Sequence, residues 1–286
     1  GRSSPTNVDV AYLTGTGFGY YDDRYRFVED ASFGTAEVIS EDPFTVRYAV
    51  NDGVTWSDGV PVDAADLLLA WAANSGALNT PDFDDAEYVD PSTGQYTDDF
   101  PEDVVFFDGT IGSGLDLATR APVIVADRAI EVTYDRFFPG WRMVLAPGVA
   151  AHVVAQHVLS PAAGQGDPVE AAMTAKAELV SAIIARDAER LPALSRFWNS
   201  AYNMTAMPED ESLLVASGPY RVTGVEPEVI TLSANPQYRG DRQPTYETIV
   251  LRVSPDPLET VDLLEQREVD IITPRPTEDV LAALVA

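Results

Sequence analysis

From Phe44 to Val50 the apolar residues Phe44, Val46, Tyr48 and Val50 alternate with Thr45, Arg47 and Ala49. A period of two in a β-rich run predicts a half-buried strand. Asn51-Asp52-Gly53 follows as turn chemistry, because Asn and Asp tolerate left-handed backbone and Gly enters it freely. Ser57-Asp58-Gly59 repeats the device and leaves Trp56 on a short segment between two turns. The period then becomes helical. Asp63 is a good N-cap with Asp66 three residues on, a variant of the capping box. Leu67, Leu68, Ala70 and Trp71 give this helix an apolar face, and Gly76 is a natural stop.

The later pattern is of the same kind. Residues 220–222 and 230–234 read as strands, Asn235-Pro236 as a turn, and 246–253 as a third, alternating strand. A helix from about Pro257 to Gln266 follows, then a short buried strand over Glu268 to Ile272. Strand, helix, strand predicts a βαβ unit with a parallel pair. Between these blocks, 161–167 is a Gly/Ala/Pro linker, and Pro168 opens a helix to about Arg186 at a position where its missing N–H costs nothing. Leu191 to Trp198 is a further short helix, and Glu278 to Ala286 another, with Thr277 as N-cap.

Composition narrows the picture. At 286 residues and 45% hydrophobic, the chain can build one large or two medium cores. No run of about twenty apolar residues could span a membrane, and neither a signal peptide nor a lipobox cysteine is recognisable. Cysteine is absent, which excludes disulfide and thiol chemistry without fixing the compartment. The net charge is −28, with 46 acidic and 18 basic residues, and Lys176 is the single lysine. Such a field repels nucleic acids and anionic lipid, so nucleic-acid binding is excluded. The acidic loop from Pro81 to Asp103 could suggest calcium, but its spacing departs from the Asp-x-Asp-x-Asp-Gly loop, and it reads as a solvated mobile segment.

Candidate catalytic chemistry is thin. His152 and His157 are five apart, about 140° around a helix, and so read as surface or partly packed residues, not as a metal pair. Gly112-Ser113-Gly114 lacks the full nucleophile-elbow pattern, and Gly15-Thr16-Gly17-Phe18-Gly19 lacks the Lys of a phosphate loop. The latter reads better as a flexible crossover. No cofactor, metal or catalytic residue is predicted, and the chain does not read as an enzyme.

Two stretches carry a resemblance. FTVRYAVNDGVTWSDGVPVDAADLLLAW (Phe44 to Trp71) resembles the signature of the family 5 extracellular solute-binding proteins of ABC transporters. So does the later series Ser217-Gly218-Pro219-Tyr220, Asn235-Pro236-Gln237-Tyr238 and Glu268-Val269-Asp270. Arg239 stands where the family usually has Trp, and Arg267 where it usually has Gly. Pro147-Gly148-Val149-Ala150-Ala151-His152-Val153 resembles a further family helix start. The wording of residues 33–43 narrows the likeness to an actinobacterial branch that includes a mycobacterial cell-envelope lipoprotein.

The resemblance implies a mixed α/β, two-lobed periplasmic-binding-protein-like fold of type II with an extra domain. It places the start of the main lobe at 1–14, the extra domain at 15–212, the main-lobe return at 213–275 and the start of the opposing lobe at 276–286, where the second lobe would be cut short. It implies a monomeric extracellular receptor, anchored as a lipoprotein, that captures a small ligand such as a peptide for an ABC permease. A non-transport envelope lipoprotein acting in cell-wall glycolipid assembly is the alternative. Half a cleft would bind weakly or not at all. Trp56, Asp58, Gly59, Asp66, Gly218, Pro219, Tyr220, Asn235, Pro236, Tyr238 and Asp270 would be structural. Tyr12, Thr14, Thr16 and Phe18, on the first crossover, would face ligand or pack the hinge.

Overall fold

The computed structural model describes residues 5–109, 113–160 and 167–285. Gly112 and most of the linker at 161–166 lie outside the described residues. A first helix, α1 (Pro5–Thr14), leads through the glycine-rich segment into a small hairpin of β1 (Gly19–Tyr21) and β2 (Phe27–Glu29). The main sheet contains β3 (Gly34–Glu41), β4 (Phe44–Val50), β5 (Val123–Ala126) and β6 (Ala129–Thr133), ordered β3-β4-β6-β5. The alternation read in the sequence is therefore β4, with Val46 and Tyr48 on its buried face and Arg47 paired to Glu131 on the other.

Against this sheet lies α2 (Ala64–Ser75), whose Asp63 side chain accepts from the Ala65 N–H while the Asp66 side chain accepts from the Asp63 N–H. Gly76 closes it at φ 69°. The structure departs from the predicted amphipathic helix: every α2 residue except Asn74 is buried. A helix apolar on all sides belongs inside the core, and this one is covered by α3 (Ala151–Val158) and α4 (Pro168–Ala185), with α5 (Leu191–Ala201) beyond. One hydrophobic core runs through these elements from Phe18 to Leu194. Each fully buried Leu among them, such as Leu67 and Leu68, contributes about 1.5–3 kcal/mol.

The lone lysine is a polar pin within that core. Lys176 on α4, 2% exposed, places Nζ 2.7 Å from Asp66 Oδ2 and 3.2 Å from Asp63 Oδ1, and donates to the Pro61 carbonyl at 2.6 Å. Asp66 Oδ1 accepts from the Ala151 N–H at 2.8 Å, so one carboxylate joins the starts of α2 and α3 to the middle of α4. Burial and the neighbouring Asp66 raise the Asp63 carboxyl above its ordinary range, against the pull of Lys176.

A second sheet follows, β7 (Tyr220–Glu226), β8 (Val229–Ala234) and β9 (Thr248–Arg252), then α6 (Pro257–Glu265) and α7 (Glu278–Val285). All strand pairings among the described residues are antiparallel. The expected βαβ unit is thus corrected: residues 268–272 form no strand, and Ile271 is 82% exposed. A strand exists through a neighbour that takes up its N–H and C=O groups, and β9 pairs only with β8. The acidic segment has an apolar component that the carboxylate pattern hid. Phe83, Tyr88, Tyr96 and Phe100 gather into one aromatic nest with contacting ring centroids 4.9–5.7 Å apart, and Tyr96 donates its hydroxyl to Asp85.

Candidate functional site

The chain crosses twice between the region of the large core and that of the second sheet, and the two crossings touch. At the first, Thr14 ends α1 by donating its hydroxyl to the Val10 carbonyl at 2.8 Å. At the second, the Gly218 N–H donates to the Thr14 carbonyl at 2.7 Å. A Cβ on Gly218 would lie 2.6 Å from the Gly15 carbonyl oxygen, so this approach is open only to glycine. Asn235 Nδ2 donates to the Gly218 carbonyl at 2.9 Å and Asn235 Oδ1 accepts from the Gln237 N–H at 3.0 Å, which fixes the Asn-Pro turn against the same junction.

Arg242 completes it. Its guanidinium donates to the Tyr12 carbonyl at 3.2 Å and the Gly15 carbonyl at 2.8 Å, and lies 5.2 Å from the ring centroids of both Tyr12 and Tyr20. A cation at the carbonyl end of α1 is favoured by the helix dipole, and the two rings add cation–π attraction.

Beside this junction lies a hollow of about 220 Å³. Thr16 and Ser217 reach it from the two crossings, Ser32 and Phe33 from the turn before β3, 52–55 from the turn after β4, and 237–240 from the Asn-Pro corner. Its polar character is unusual. Ser217 is 2% exposed and Tyr238 6% exposed; the Ser217 hydroxyl has no hydrogen-bond partner among the described residues, and the Tyr238 hydroxyl lies beside Arg242. The Tyr238 oxygen abuts Gly240, where an added Cβ would stand 2.3 Å away. Burial raises the Tyr238 phenol above its ordinary value, only partly countered by Arg242, so it stays a neutral donor and acceptor. At the rim, Asp52 is paired with Arg128 at 3.4 Å, and Arg239 donates to the carbonyls of Pro236 and Tyr238.

Of the four residues expected to face ligand, only Thr16 lines the hollow. Tyr12 is 47% exposed, donates its hydroxyl to the Tyr21 carbonyl, and offers its ring to Arg242. Phe18 is buried, 5.0 Å from Phe33 and 5.2 Å from Tyr48, ring to ring. Ser217 and Tyr238 line the hollow as well; sequence reasoning assigned Ser217 no binding role and read Tyr238 as structural. Nothing local marks either residue as lining a hollow with Thr16, since that depends on contacts between segments about two hundred residues apart.

The remaining signature residues are placed in the packing. Trp56 is buried against His152, and Tyr220 donates its hydroxyl to the Tyr246 carbonyl at 3.1 Å. His152 is not a surface residue: at 2% exposed, its Nε2 lies 2.8 Å from Asp58 Oδ2. Burial would raise the Asp58 carboxyl, but the His152 hydrogen bond and charge and the Val60 N–H together hold it below its usual range. His157 bonds Asp210 at 2.8 Å. Ser57 also reaches the second crossing, with its N–H on the Ala216 carbonyl at 2.8 Å and its Oγ accepting from the Ala216 N–H at 3.1 Å. No group of three or more His, Cys, Asp or Glu that could hold a metal exists among the described residues, and no described helix is long and apolar enough to cross a membrane.

The geometry can be set beside known proteins. The family model described as bacterial extracellular solute-binding proteins, family 5 Middle, matches residues 33–285. An uncharacterized lipoprotein of Mycobacterium tuberculosis is 27% identical over 264 residues, covering 90% of this chain and 39% of its own length. One from Mycobacterium leprae is 28% identical over 260 residues with the same coverage. The chain thus spans about two fifths of these relatives. Among solved structures, the periplasmic EDTA-binding protein EppA superposes with TM-score 0.65 at 20% identity, over 96% of this chain and 40% of that one. The oligopeptide-binding protein AppA of Bacillus subtilis, in complex with a nonapeptide, gives 0.54 at 14% identity, over 94% and 39%. These likenesses establish the mixed α/β fold of periplasmic binding proteins of type II.

Proposed function

The chain belongs to the bacterial extracellular solute-binding proteins of family 5, and from that premise we propose that it forms the ligand-capturing part of a receptor that delivers a small ligand, with a peptide the leading candidate, to an ABC permease. The observation that carries the reading is the hollow at the two crossings, which Thr16 and Ser217 line from the two crossing segments and Tyr238 from the Asn-Pro corner. The nonapeptide bound by the structural neighbour AppA favours a peptide ligand.

The site residues we assign are Thr16, Ser217 and Tyr238. We divide the chain into a main-lobe start at 1–14, an extra domain at 15–212, a main-lobe return at 213–275 and the start of an opposing lobe at 276–286. The protein acts as a monomer outside the cell, held to the membrane as a lipoprotein; the mycobacterial relatives' names support the anchor. Binding, not catalysis, fits the histidines, since Asp58 and Asp210 occupy both.

The test is mass spectrometry of small molecules that co-purify with the full-length protein, followed by thermal shift with each one identified. A peptide that raises the melting temperature establishes the receptor. A lipid-linked glycan instead would support an envelope lipoprotein acting in glycolipid assembly.

A further inference from the structure

A second hollow, of about 290 Å³, lies between the acidic segment and α5 and shares no lining residue with the first. Its frame is built by three side chains of α5. Asn199, 5% exposed, accepts from the Asp108 N–H through Oδ1 and donates to the Phe106 carbonyl through Nδ2. Ser195, wholly buried, accepts from the Phe106 N–H, and Arg196 donates to the carbonyls of Pro101 and Glu102. From the acidic segment Tyr96 and Phe100, ring centroids 4.9 Å apart, line the hollow, and Asp85 holds the Tyr96 hydroxyl. The shape is therefore organised in advance of any ligand.

Asn199 commits both ends of its amide to the backbone, so the charged groups left to meet a ligand are Asp98, Glu102 and Arg196. Asp98 and Glu102 are exposed, and neither carboxylate has a hydrogen bond or ion pair among the described residues. We infer that this hollow binds a small saccharide. A carboxylate only accepts hydrogen bonds and a guanidinium only donates them, so the ligand must bring donors and acceptors side by side. Each sugar hydroxyl is both at once, and two neighbouring hydroxyls match the paired atoms of a carboxylate or a guanidinium. The weakly positive C–H groups on the face of a sugar ring suit the negative faces of aromatic rings such as Tyr96 and Phe100. Charged ligands fit only part of this wall. An ammonium leaves Arg196 without an acceptor and meets its charge; a carboxylate leaves Asp98 and Glu102 without donors and meets theirs. A hard divalent cation such as calcium wants roughly six to eight oxygens, and no group of three or more His, Cys, Asp or Glu that could hold a metal exists among the described residues. The volume sits just under the roughly 300 Å³ at which whole-ligand pockets begin, so the ligand is small or only partly enclosed. None of this rests on the receptor reading, because no residue of the first hollow takes part.

The experiment is a saturation-transfer NMR titration of the full-length protein with glucose, galactose, mannose, arabinose and maltose, with spermidine and citrate as the cationic and anionic counterparts. Asp98→Ala and Glu102→Ala are measured beside the parent. Both side chains are exposed and unpaired, so the melting temperatures of the variants stay at the parent's value. The expected result is that at least one sugar binds, that each variant weakens it about 10-fold or more, the worth of a hydrogen bond to a charged group, and that neither spermidine nor citrate displaces it. If no sugar of the panel binds, or if the variants bind it as tightly as the parent, the inference is overturned. Spermidine or citrate that binds more tightly than every sugar, and is lost in the same variants, makes this a site for a charged ligand and overturns it as well. In each of these cases the receptor reading at the first hollow is left to its own test.

Discussion

At the scale of single residues, the most exposed tension is in Arg267. It stands at φ 60°, left-handed backbone that costs an L-residue about 1–2 kcal/mol. The geometry is imposed by the end of α6, where the Arg267 N–H donates to the Leu264 carbonyl at 3.0 Å and the Glu268 N–H to the Leu263 carbonyl at 2.9 Å. A helix that closes this way asks for glycine, the residue that the resemblance puts at this position. Arg267→Gly is expected to raise stability by about 0.5–1 kcal/mol, the greater unfolded-state freedom of glycine offsetting part of the relief. Urea titration of both proteins reads the difference directly. A variant that is less stable would mean that the Arg267 side chain holds contacts outweighing its backbone strain. The buried Ser217 hydroxyl, without a partner among the described residues, presents the same logic in polar form: it departs locally from what stability alone selects, and such departures are where function is to be sought.

At the scale of elements, Lys176 and Asp66 together join three helices. A buried ion pair is expensive to assemble, but breaking it by removing one partner strands the others. Lys176→Met keeps the volume and leaves Asp63 and Asp66 in the core without a cation, so we expect a loss of about 3–5 kcal/mol in chemical denaturation. A loss under about 1 kcal/mol would show that the carboxylates take up protons and are otherwise satisfied by the N–H groups at the helix starts. The carboxylate half of this arrangement was legible in the sequence, because a capping box is written within four residues: Asp63, Asp66, then the apolar run. The same locality made the helix starts at Pro168 and Pro257 and the stop at Gly76 readable. What could not be read was whatever depends on distant partners. Nothing near Asp66 announces Lys176, 110 residues away, and nothing near Asp58 announces His152, 94 away. The run from Leu67 to Trp71 shows one apolar face, and only the arrival of α3 and α4 reveals that the opposite face is buried too. The absent strand at 268–272 is the converse error, a pattern with the right residues and no neighbour to pair with.

At the scale of the whole molecule, the junction of the two crossings decides whether the large core and the second sheet behave as one body. The core is complete without the junction, because its members run from Phe18 to Leu194 and none comes from β7, β8, β9 or α6. Among the contacts that tie the parts are Gly218 on Thr14 and Gly15, Arg242 on Tyr12 and Gly15, Ser57 on Ala216, and the Asp241 N–H on Ser32 Oγ. Gly218→Ala tests this coupling, since its Cβ would meet the Thr14 and Gly15 backbone at 2.6 Å, and backbone, unlike a flexible side-chain tip, cannot swing aside. Forced apart, the crossings lose the Gly218-to-Thr14 hydrogen bond and the seat of Arg242 on Gly15. Hydrogen exchange at Gly218 and Asn235 is then expected to accelerate about 5- to 100-fold, the equivalent of about 1–3 kcal/mol of local stability, while β4 and α2 keep their protection. Uniform acceleration across β4 and α2 as well would mean that core and second sheet unfold as a single cooperative unit, and that the junction is a part of that unit. Protection unchanged at Gly218 would mean that the crossings relax around a methyl group. In the expected case the hollow loses its shape along with the junction, because Thr16 and Ser217 approach it from the two segments that Gly218 holds together.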